Sequence, residues 1–374
     1  MEQVRLGIIG CGNMGFDHAK NILAGNCKDV IVTALCDSTP FCLTRAKQAF
    51  KDYALTYFKN YEELLSSGLV DAVLIAVSHF EHAKIAISAF EHGLHVMTEK
   101  PAGVYTRQVR EMNEAADRSG LKFGIMFQQR VAPGFQKIRQ LVTSGQLGEI
   151  RRTQWLINDW YRSQVYYDSG NWRATWAGEG GGVLLNQCPH NLDLWQWTCG
   201  MPDRVHAFCH IGKWHNIEVE DDVTAYVEYP NGATGTFITS TGDCPGTNRL
   251  EIDLDKGKIV CENYTQLTVW ENDCREQDFS RSCRDIFARP KTTKIEYTFE
   301  ETKLYHMRIL EAFAGAILRG EPMIADGREG IRSLSISNAM YLSAWTDSTI
   351  TLPLDEDQFF NELKKRIESS KYKR

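Results

Sequence analysis

The sequence predicts two domains of different class: an α/β domain with a parallel, doubly wound sheet, then an α+β domain with a large, mostly antiparallel, open-faced sheet. Through the first third, short apolar runs alternate with amphipathic segments of helical period, the pattern of βαβ units whose sheet is covered on both faces. After Gln128 that alternation stops, and strand-like stretches follow one another with turn signals such as Asn231-Gly232 between them. With 374 residues, 43% of them hydrophobic, the chain is long enough for two separate cores. The boundary is placed between residues 1–127 and 128–374.

In the first part, residues 4–9, 30–36, 72–77, 94–97 and 121–126 read as strands, with helical patterns at 41–50, 82–92 and 107–118. Residues 133–143 read as a helix, with Pro133 in the first turn and Gly145 just past the end. Strands are expected at 151–158, 204–211, 223–229, 233–240 and 250–254, with one long helix at 183–198 among them. Helical patterns at 302–318 and 327–346, a short strand near 349–352 and a charged tail at 364–374 close the chain. The tail reads as a solvated helix end.

A net charge of -6 and no long basic stripe argue against a nucleic-acid partner. The longest apolar stretch, residues 70–77 with Asp71 inside it, is far short of a membrane span. The first strand begins within four residues of Met1, which leaves no room for a signal peptide, so export is not expected. Eleven cysteines make an odd count without a C-x-x-C, and five of them (Cys36, Cys188, Cys199, Cys209, Cys261) lie in apolar contexts. A reduced cytoplasm is the expected location. His206 and His210 share one strand face, and no third ligand joins them or His215 at useful spacing, so no metal is expected. The acidic run Glu220-Asp221-Asp222 reads as a solvated turn.

Chemistry enters with Gly10-Cys11-Gly12-Asn13-Met14-Gly15, directly behind the first strand. Gly10 suits a tight strand-to-helix bend, Gly12 lets backbone N–H groups approach a pyrophosphate, and Gly15 lets the helix pack close on the strand. Asp37 ends the second strand, about 20 residues further on, where a carboxylate accepts from the ribose hydroxyls of NAD and repels the 2′-phosphate of NADP. The expected cofactor is NAD, bound by a Rossmann domain. The competing reading of Asp37 is a residue that only caps a turn.

Glu99-Lys100-Pro101 lies just outside the carboxyl end of a strand, where open α/β sheets bind ligands; a solvated ion pair at a turn is the alternative. After Gly180-Gly181-Gly182, a continuous helix would set Asn186, His190 and Asp193 at i, i+4 and i+7 on one face, although Pro189 would kink it near Asn186. A histidine there can take a proton from an alcohol, with Asp193 fixing its tautomer, or it is a packed residue. Trp155, Trp160, Tyr161, Tyr166, Tyr167, Trp172 and Trp176 are interleaved with Arg162 and Arg173. Such flat faces with polar tips suit a carbohydrate, with about half expected in the core.

These residues resemble those of the glucose–fructose oxidoreductase/inositol dehydrogenase (Gfo/Idh/MocA) family of NAD(P)-dependent enzymes. The likeness runs from Gly10–Gly15 through Glu99-Lys100-Pro101 and the glycine run before His190 to Ile324-Ala325-Asp326-Gly327 and Ala344-Trp345. It implies that Lys100 and His190 flank the hydroxyl being oxidised. Where the family commonly has an Asp four residues before the histidine, this chain has Asn186, which can hydrogen-bond a hydroxyl but cannot exchange a proton. The base role therefore falls to His190, with Lys100 as the positive charge that favours an alkoxide-like oxygen.

The implied cofactor set is Gly10, Gly12, Asn13, Met14, Asp37, Ser78, His79, His82, Glu99 and Lys100. The implied substrate set is Arg130, Trp160, Arg162, Trp172, Arg173, Asn186 and His190. The run from Trp172-Arg173-Ala174-Thr175-Trp176 through His190 to Trp197 is similar to a bacterial branch that oxidises glycosides at carbon 3. The expected activity is NAD-dependent removal of hydride from a secondary hydroxyl of a sugar, glycoside or cyclitol, in a homo-oligomer. Two alternatives stay open: a redox-neutral enzyme with tightly held NAD, and a non-catalytic sensor of NAD and a sugar.

Overall fold

Six parallel strands form the first sheet of the computed structural model, which describes residues 2–372. They are β1 (Val4–Ile9), β2 (Val30–Cys36), β3 (Thr56–Phe58), β4 (Ala72–Ile75), β5 (His95–Thr98) and β6 (Phe123–Ile125), in the spatial order β3-β2-β1-β4-β5-β6. All four residues of β4 are buried, which requires cover on both faces and explains the unbroken apolar run. β3 was absent from the sequence expectation, because three residues with an exposed Thr56 are too few to show a period.

The first unit comprises residues up to 131 together with 302–334, and the second holds the rest. The sequence reading placed 302–334 in the second domain. In the structure the helix Tyr305–Arg319 buries Met307, Ile309, Leu310 and Phe313 and packs on β1 and on the helix Asn13–Leu23. Gly124 bridges to Asp326, and Ile125 N–H donates to Ala325 O at 3.2 Å. An amphipathic period tells which face is buried, not which domain buries it.

The second sheet has nine strands: β7 (Ile150–Ile157), β8 (Arg204–Ile211), β9 (Glu220–Glu228), β10 (Thr234–Ser240), β11 (Asn248–Leu254), β12 (Gly257–Glu262), β13 (Gln266–Asn272), β14 (Thr292–Thr298) and β15 (Ile350–Thr351). The order is β14-β13-β12-β11-β7-β10-β9-β8-β15, with β7 and β10 parallel and every other neighbouring pair antiparallel. The inner face is apolar, with Trp155, Val223, Ala225, Val227 and Phe237 buried on it. Trp195, on the helix Pro189–Cys199, stacks on Phe237 with centroids 5.4 Å apart and donates through Nε1 to Thr153 Oγ1 at 3.1 Å. Removing a buried ring of that size costs about 3–5 kcal/mol, so this helix is firmly seated. The opposite face leaves Phe208, Tyr226 and Ile238 exposed on adjacent strands.

Three expectations are corrected here. The long helix at 183–198 is two helices, Val183–Asn186 and Pro189–Cys199, because Pro189 has no N–H to continue the ladder and instead begins the second one. The acidic run is not a solvated turn. Glu220 and Asp221 are buried at the start of β9, where tight backbone turns need acceptors. Glu220 accepts from Gly182 N–H at 3.0 Å, Leu184 N–H at 2.9 Å and the Tyr341 hydroxyl at 2.7 Å. Asp221 accepts from the N–H groups of Lys213 and Trp214 at 2.9 Å and of His215 at 3.0 Å.

The charged tail is the third, corrected only past its helix: Lys364, Lys365, Glu368 and Ser369 are exposed at the end of the last helix, as expected of a solvated helix end. Helix Glu356–Ser369 is N-capped by Asp355, and after it Ser370 is buried, donating through Oγ to Glu218 Oε2 at 2.6 Å. The tail is thus tied down by the half-buried Glu218 carboxylate, which accepts from Ser370 Oγ and Lys371 N–H; Lys373 and Arg374 lie outside the described residues. Among the described residues, no helix is long and apolar enough to cross a membrane.

Candidate active site

In the first unit the glycine turn joins β1 to the helix Asn13–Leu23. Gly10 has φ +97°, a left-handed conformation that L side chains resist. A Cβ on Gly15 would stand 1.8 Å from Gly10 O, so only glycine permits this helix-to-strand approach. A Cβ on Gly12 would meet nothing within 4 Å, which leaves open space in front of the helix N-terminus. Gly12 is the N-cap and supplies no side-chain cap, and the first turn carries no acidic residue. Those N–H groups and the positive end of the helix suit a diphosphate, so the turn fits a dinucleotide. Arg45 Nη2 donates to Cys11 O at 2.9 Å and to Gly12 O at 3.0 Å, which holds both loop carbonyls, while Asn13 and Met14 are exposed.

Asp37 sits beside this turn, accepting from Cys11 N–H at 2.6 Å and Thr39 N–H at 2.7 Å. Ser78 and His79 lie in the loop that follows β4, and the same loop closes on the glycine turn at Ala76 and Val77. Glu99 and Lys100 follow β5. Glu99 is buried against His18 of the glycine-turn helix, Oε1 to Nε2 at 2.6 Å, and its other oxygen accepts from Lys100 N–H at 3.2 Å. Although burial opposes ionisation, the hydrogen bond and charge of His18 dominate and hold the Glu99 carboxyl down at about 2. The carboxylate thereby links the cofactor turn to the lysine.

Two site residues expected from the sequence are turned to internal work. His82 is 1% exposed, with Nδ1 2.8 Å from Pro101 O and Nε2 3.1 Å from Val77 O, so it braces the backbone after Lys100 instead of facing a ligand. Burial pushes its pKa down. Arg130, also 1% exposed, is paired with Glu329, donates to Ile324 O and lies over the Phe127 ring. A buried guanidinium needs such partners, and these hold it inside the first unit in place of the expected substrate contact.

The second unit collects the remaining candidates. Asn186 ends the first short helix, and His190, 7% exposed, is the second residue of the next. Asp193 accepts from Gln196 Nε2 at 2.9 Å. Beside them Arg162 lies over Trp160 and Tyr166, at 5.6 and 5.1 Å, and Arg173 lies over Tyr166 and Trp172, both at 4.6 Å. The result is a layered stack in the order Trp160, Arg162, Tyr166, Arg173, Trp172. It is fastened to both short helices. Tyr166 Oη accepts from Arg173 Nη1 at 2.9 Å and from Gln187 Nε2 at 3.3 Å, while Trp160 Nε1 donates to Asn191 Oδ1 at 3.3 Å. Of the seven aromatic residues noted in the sequence, Trp155, Tyr167 and Trp176 are core residues.

Comparison with known proteins decides the family. Residues 4–127 match the model of an oxidoreductase family with an NAD-binding Rossmann fold, and residues 135–260 match the GFO/IDH/MocA C-terminal domain. The chain belongs to the Gfo/Idh/MocA family. Its relatives include the D-glucoside 3-dehydrogenase of Escherichia coli, 26% identical across 93% of this chain and 97% of that enzyme, and the myo-inositol 2-dehydrogenase of Thermotoga maritima, 24% identical across 90% and 95%. Among solved structures, the WlbA dehydrogenase of Bordetella pertussis, in complex with NADH and UDP-GlcNAcA, superposes with TM-score 0.78 at 25% identity, covering 94% of this chain and all of that one. The first unit is thus the NAD-binding Rossmann domain of a Gfo/Idh/MocA oxidoreductase.

Within this Gfo/Idh/MocA chain, sequence reasoning missed several residues that shape the site. His18 and Arg45 escaped because both lie on helices whose contacts with the glycine turn no linear pattern shows. Glu179 escaped for a related reason. It receives the Asn186 amide across seven residues and a glycine run, a spacing that belongs to no regular element.

Proposed function

We propose that this chain is an NAD-dependent dehydrogenase that removes hydride from a secondary hydroxyl of a sugar, glycoside or cyclitol. The observation that carries this reading is the aromatic and guanidinium stack bound to the helices of Asn186 and His190. Aromatic faces suit the C–H faces of a sugar ring, and guanidinium and amide groups suit its hydroxyls. NAD, when bound, supplies the hydride acceptor. His190 takes the hydroxyl proton, the Lys100 ammonium favours the alkoxide-like oxygen, and Asn186 holds a hydroxyl by hydrogen bonding. Oxidation at carbon 3 of a glycoside is the favoured finer reading, supported by the Trp172–Trp176 wording and by the D-glucoside 3-dehydrogenase among the relatives.

The test is incubation of the purified protein with NAD and a panel of methyl glucosides, cyclitols and their keto forms, following NADH at 340 nm, roughly, and product mass. Accumulating NADH with a product two hydrogens lighter supports the dehydrogenase. Product formation without NADH assigns a redox-neutral reaction instead, and binding without any product assigns a sensor.

Asp37 is proposed to set the cofactor preference. Asp37→Ala should weaken NAD and relieve repulsion of the 2′-phosphate, narrowing the NAD preference; calorimetric titration of both nucleotides measures it. Tighter NADP than NAD binding by the unmodified protein would sink this assignment.

A homo-oligomer built on the exposed sheet face is also proposed, since Phe208, Tyr226 and Ile238 form an apolar patch across three adjacent strands. Sedimentation equilibrium checks it, and a monomer at micromolar concentration would refute it. A reduced cytoplasm remains the proposed location, in keeping with eleven cysteines none of which forms a disulfide among the described residues.

A further inference from the structure

Asn186 Nδ2 donates to Glu179 Oε1, and the second Glu179 oxygen accepts from Ala174 N–H at 2.6 Å. Glu179 is 2% exposed, and the Arg173 guanidinium lies 3.9 Å from it. All four residues belong to the second unit. A carboxylate accepts and cannot donate, so the atom that Asn186 turns toward Glu179 must be its NH2 group. The amide is planar, and its carbonyl oxygen is therefore directed away from Glu179.

We propose that Glu179 is a positioning residue: by holding Asn186 Nδ2 it fixes the amide so that Oδ1 is presented to the ligand as an acceptor for a sugar or cyclitol hydroxyl. The proposal rests on the reading of this unit as a carbohydrate site and deepens it, because it assigns the polarity of one contact. The ligand hydroxyl donates at Asn186 and is left with its lone pairs for other groups. The pair also has a strict complement. A carboxylate at position 186 would face the Glu179 carboxylate across a hydrogen bond, where two like charges cannot both ionise. Gln at 179 with Asp at 186 would restore one donor between the two side chains and one acceptor toward the ligand. Gln at 179 alone would let its amide N–H donate to Asn186 Oδ1, turning the Asn186 NH2 toward the ligand.

The experiment compares the unmodified chain, Glu179→Gln, Asn186→Asp and the double variant Glu179→Gln/Asn186→Asp in two arms. The first follows thermal unfolding from pH 5 to 9 without substrate. Asn186→Asp should lose stability as pH rises, and the double variant should regain a profile parallel to that of the unmodified chain. Equal profiles for Asn186→Asp and the unmodified chain would mean that the two side chains are not paired, which overturns the proposal. The second arm measures KM and kcat with whichever of methyl α-D-glucopyranoside, methyl β-D-glucopyranoside and myo-inositol the unmodified protein oxidises fastest.

Each single substitution should raise KM about tenfold, as the loss of one hydrogen bond does, with kcat changed less; the double variant should return KM to within about threefold. A double variant no better than Glu179→Gln would reduce Glu179 to a structural acid and overturn the positioning role. Should the unmodified protein oxidise none of the three sugars, the dehydrogenase reading fails, while the unfolding arm still decides whether Glu179 sets the Asn186 amide.

Discussion

His190→Ala should leave NAD binding intact and slow hydride transfer by ~10²–10⁴-fold, the usual cost of removing a general base. The substitution is clean because Pro189 still begins the helix and Trp195 still seats it on the sheet, so the scaffold does not depend on the imidazole. Lys100→Ala should also slow the chemical step, through loss of charge beside the developing alkoxide, whereas Asn186→Ala should act mainly on KM. Single-turnover mixing with a substrate deuterated at the reacting carbon separates these cases, since a full isotope effect shows that hydride transfer limits the rate. An imidazole base works only when deprotonated, so with His190 as the base oxidation should gain rate with rising pH through one ionisation, and that ionisation should vanish in His190→Gln. A single-turnover rate for His190→Ala within a few-fold of the unmodified protein would place the base elsewhere, with Lys100 the first group to examine.

The parts of this site that sequence could read are those encoded by local rules. The glycine turn is one, because Gly10 and Gly15 are demanded by a positive φ and a 1.8 Å approach that any Cβ would violate. The break at Pro189 was partly visible. Proline removes a hydrogen bond at a known place, but whether the helix bends or restarts depends on Cys188 and on the sheet beneath it, and here it restarts. Arg130 and His82 failed for the opposite reason. Both residue types bind ligands or brace interiors equally well, and only the positions of Glu329, Pro101 and Val77 decide between the two. Strand β14 was missed because it is almost wholly exposed and carries no apolar alternation, whereas β12 and β13 were missed although Ile259, Val260 and Cys261 of the one and Leu267 and Val269 of the other are buried. Contacts made across glycine runs, such as Glu179 with Asn186 and Glu220 with Gly182, obey no period at all.

Glu220 yields the second large effect, on stability. Burial pushes its carboxyl up to about 7, against the opposing influence of its hydrogen bonds from Tyr341, Leu184 and Gly182. A folded value above the unfolded one of 4.5 means that folding favours the protonated acid. The stability it contributes is complete below about pH 4.5 and is lost as pH rises through about 7, on the order of 3 kcal/mol over that window. Glu99 acts with the opposite sign but outside this window, since a value lowered to about 2 adds stability only as pH rises from about 2 to 4.5. His82, His95 and His306, all pushed down by burial, do titrate within it when unfolded, and they favour the fold as pH rises. They are the same in Glu220→Gln, so the difference between the two proteins isolates Glu220. Urea unfolding at pH 5 and pH 8 should therefore show the unmodified protein losing stability relative to Glu220→Gln, whose amide stays neutral and still offers an oxygen to Gly182 and Leu184. Glu220→Ala should be worse than either at both values, because it strands the buried Leu184 N–H and the Tyr341 hydroxyl proton at about 1–3 kcal/mol each and leaves Gly182 N–H only its 3.3 Å contact with Tyr341 Oη. Parallel pH profiles for the unmodified protein and Glu220→Gln would show that the Glu220 carboxyl ionises as readily in the fold as in the unfolded chain, and would remove this source of pH dependence.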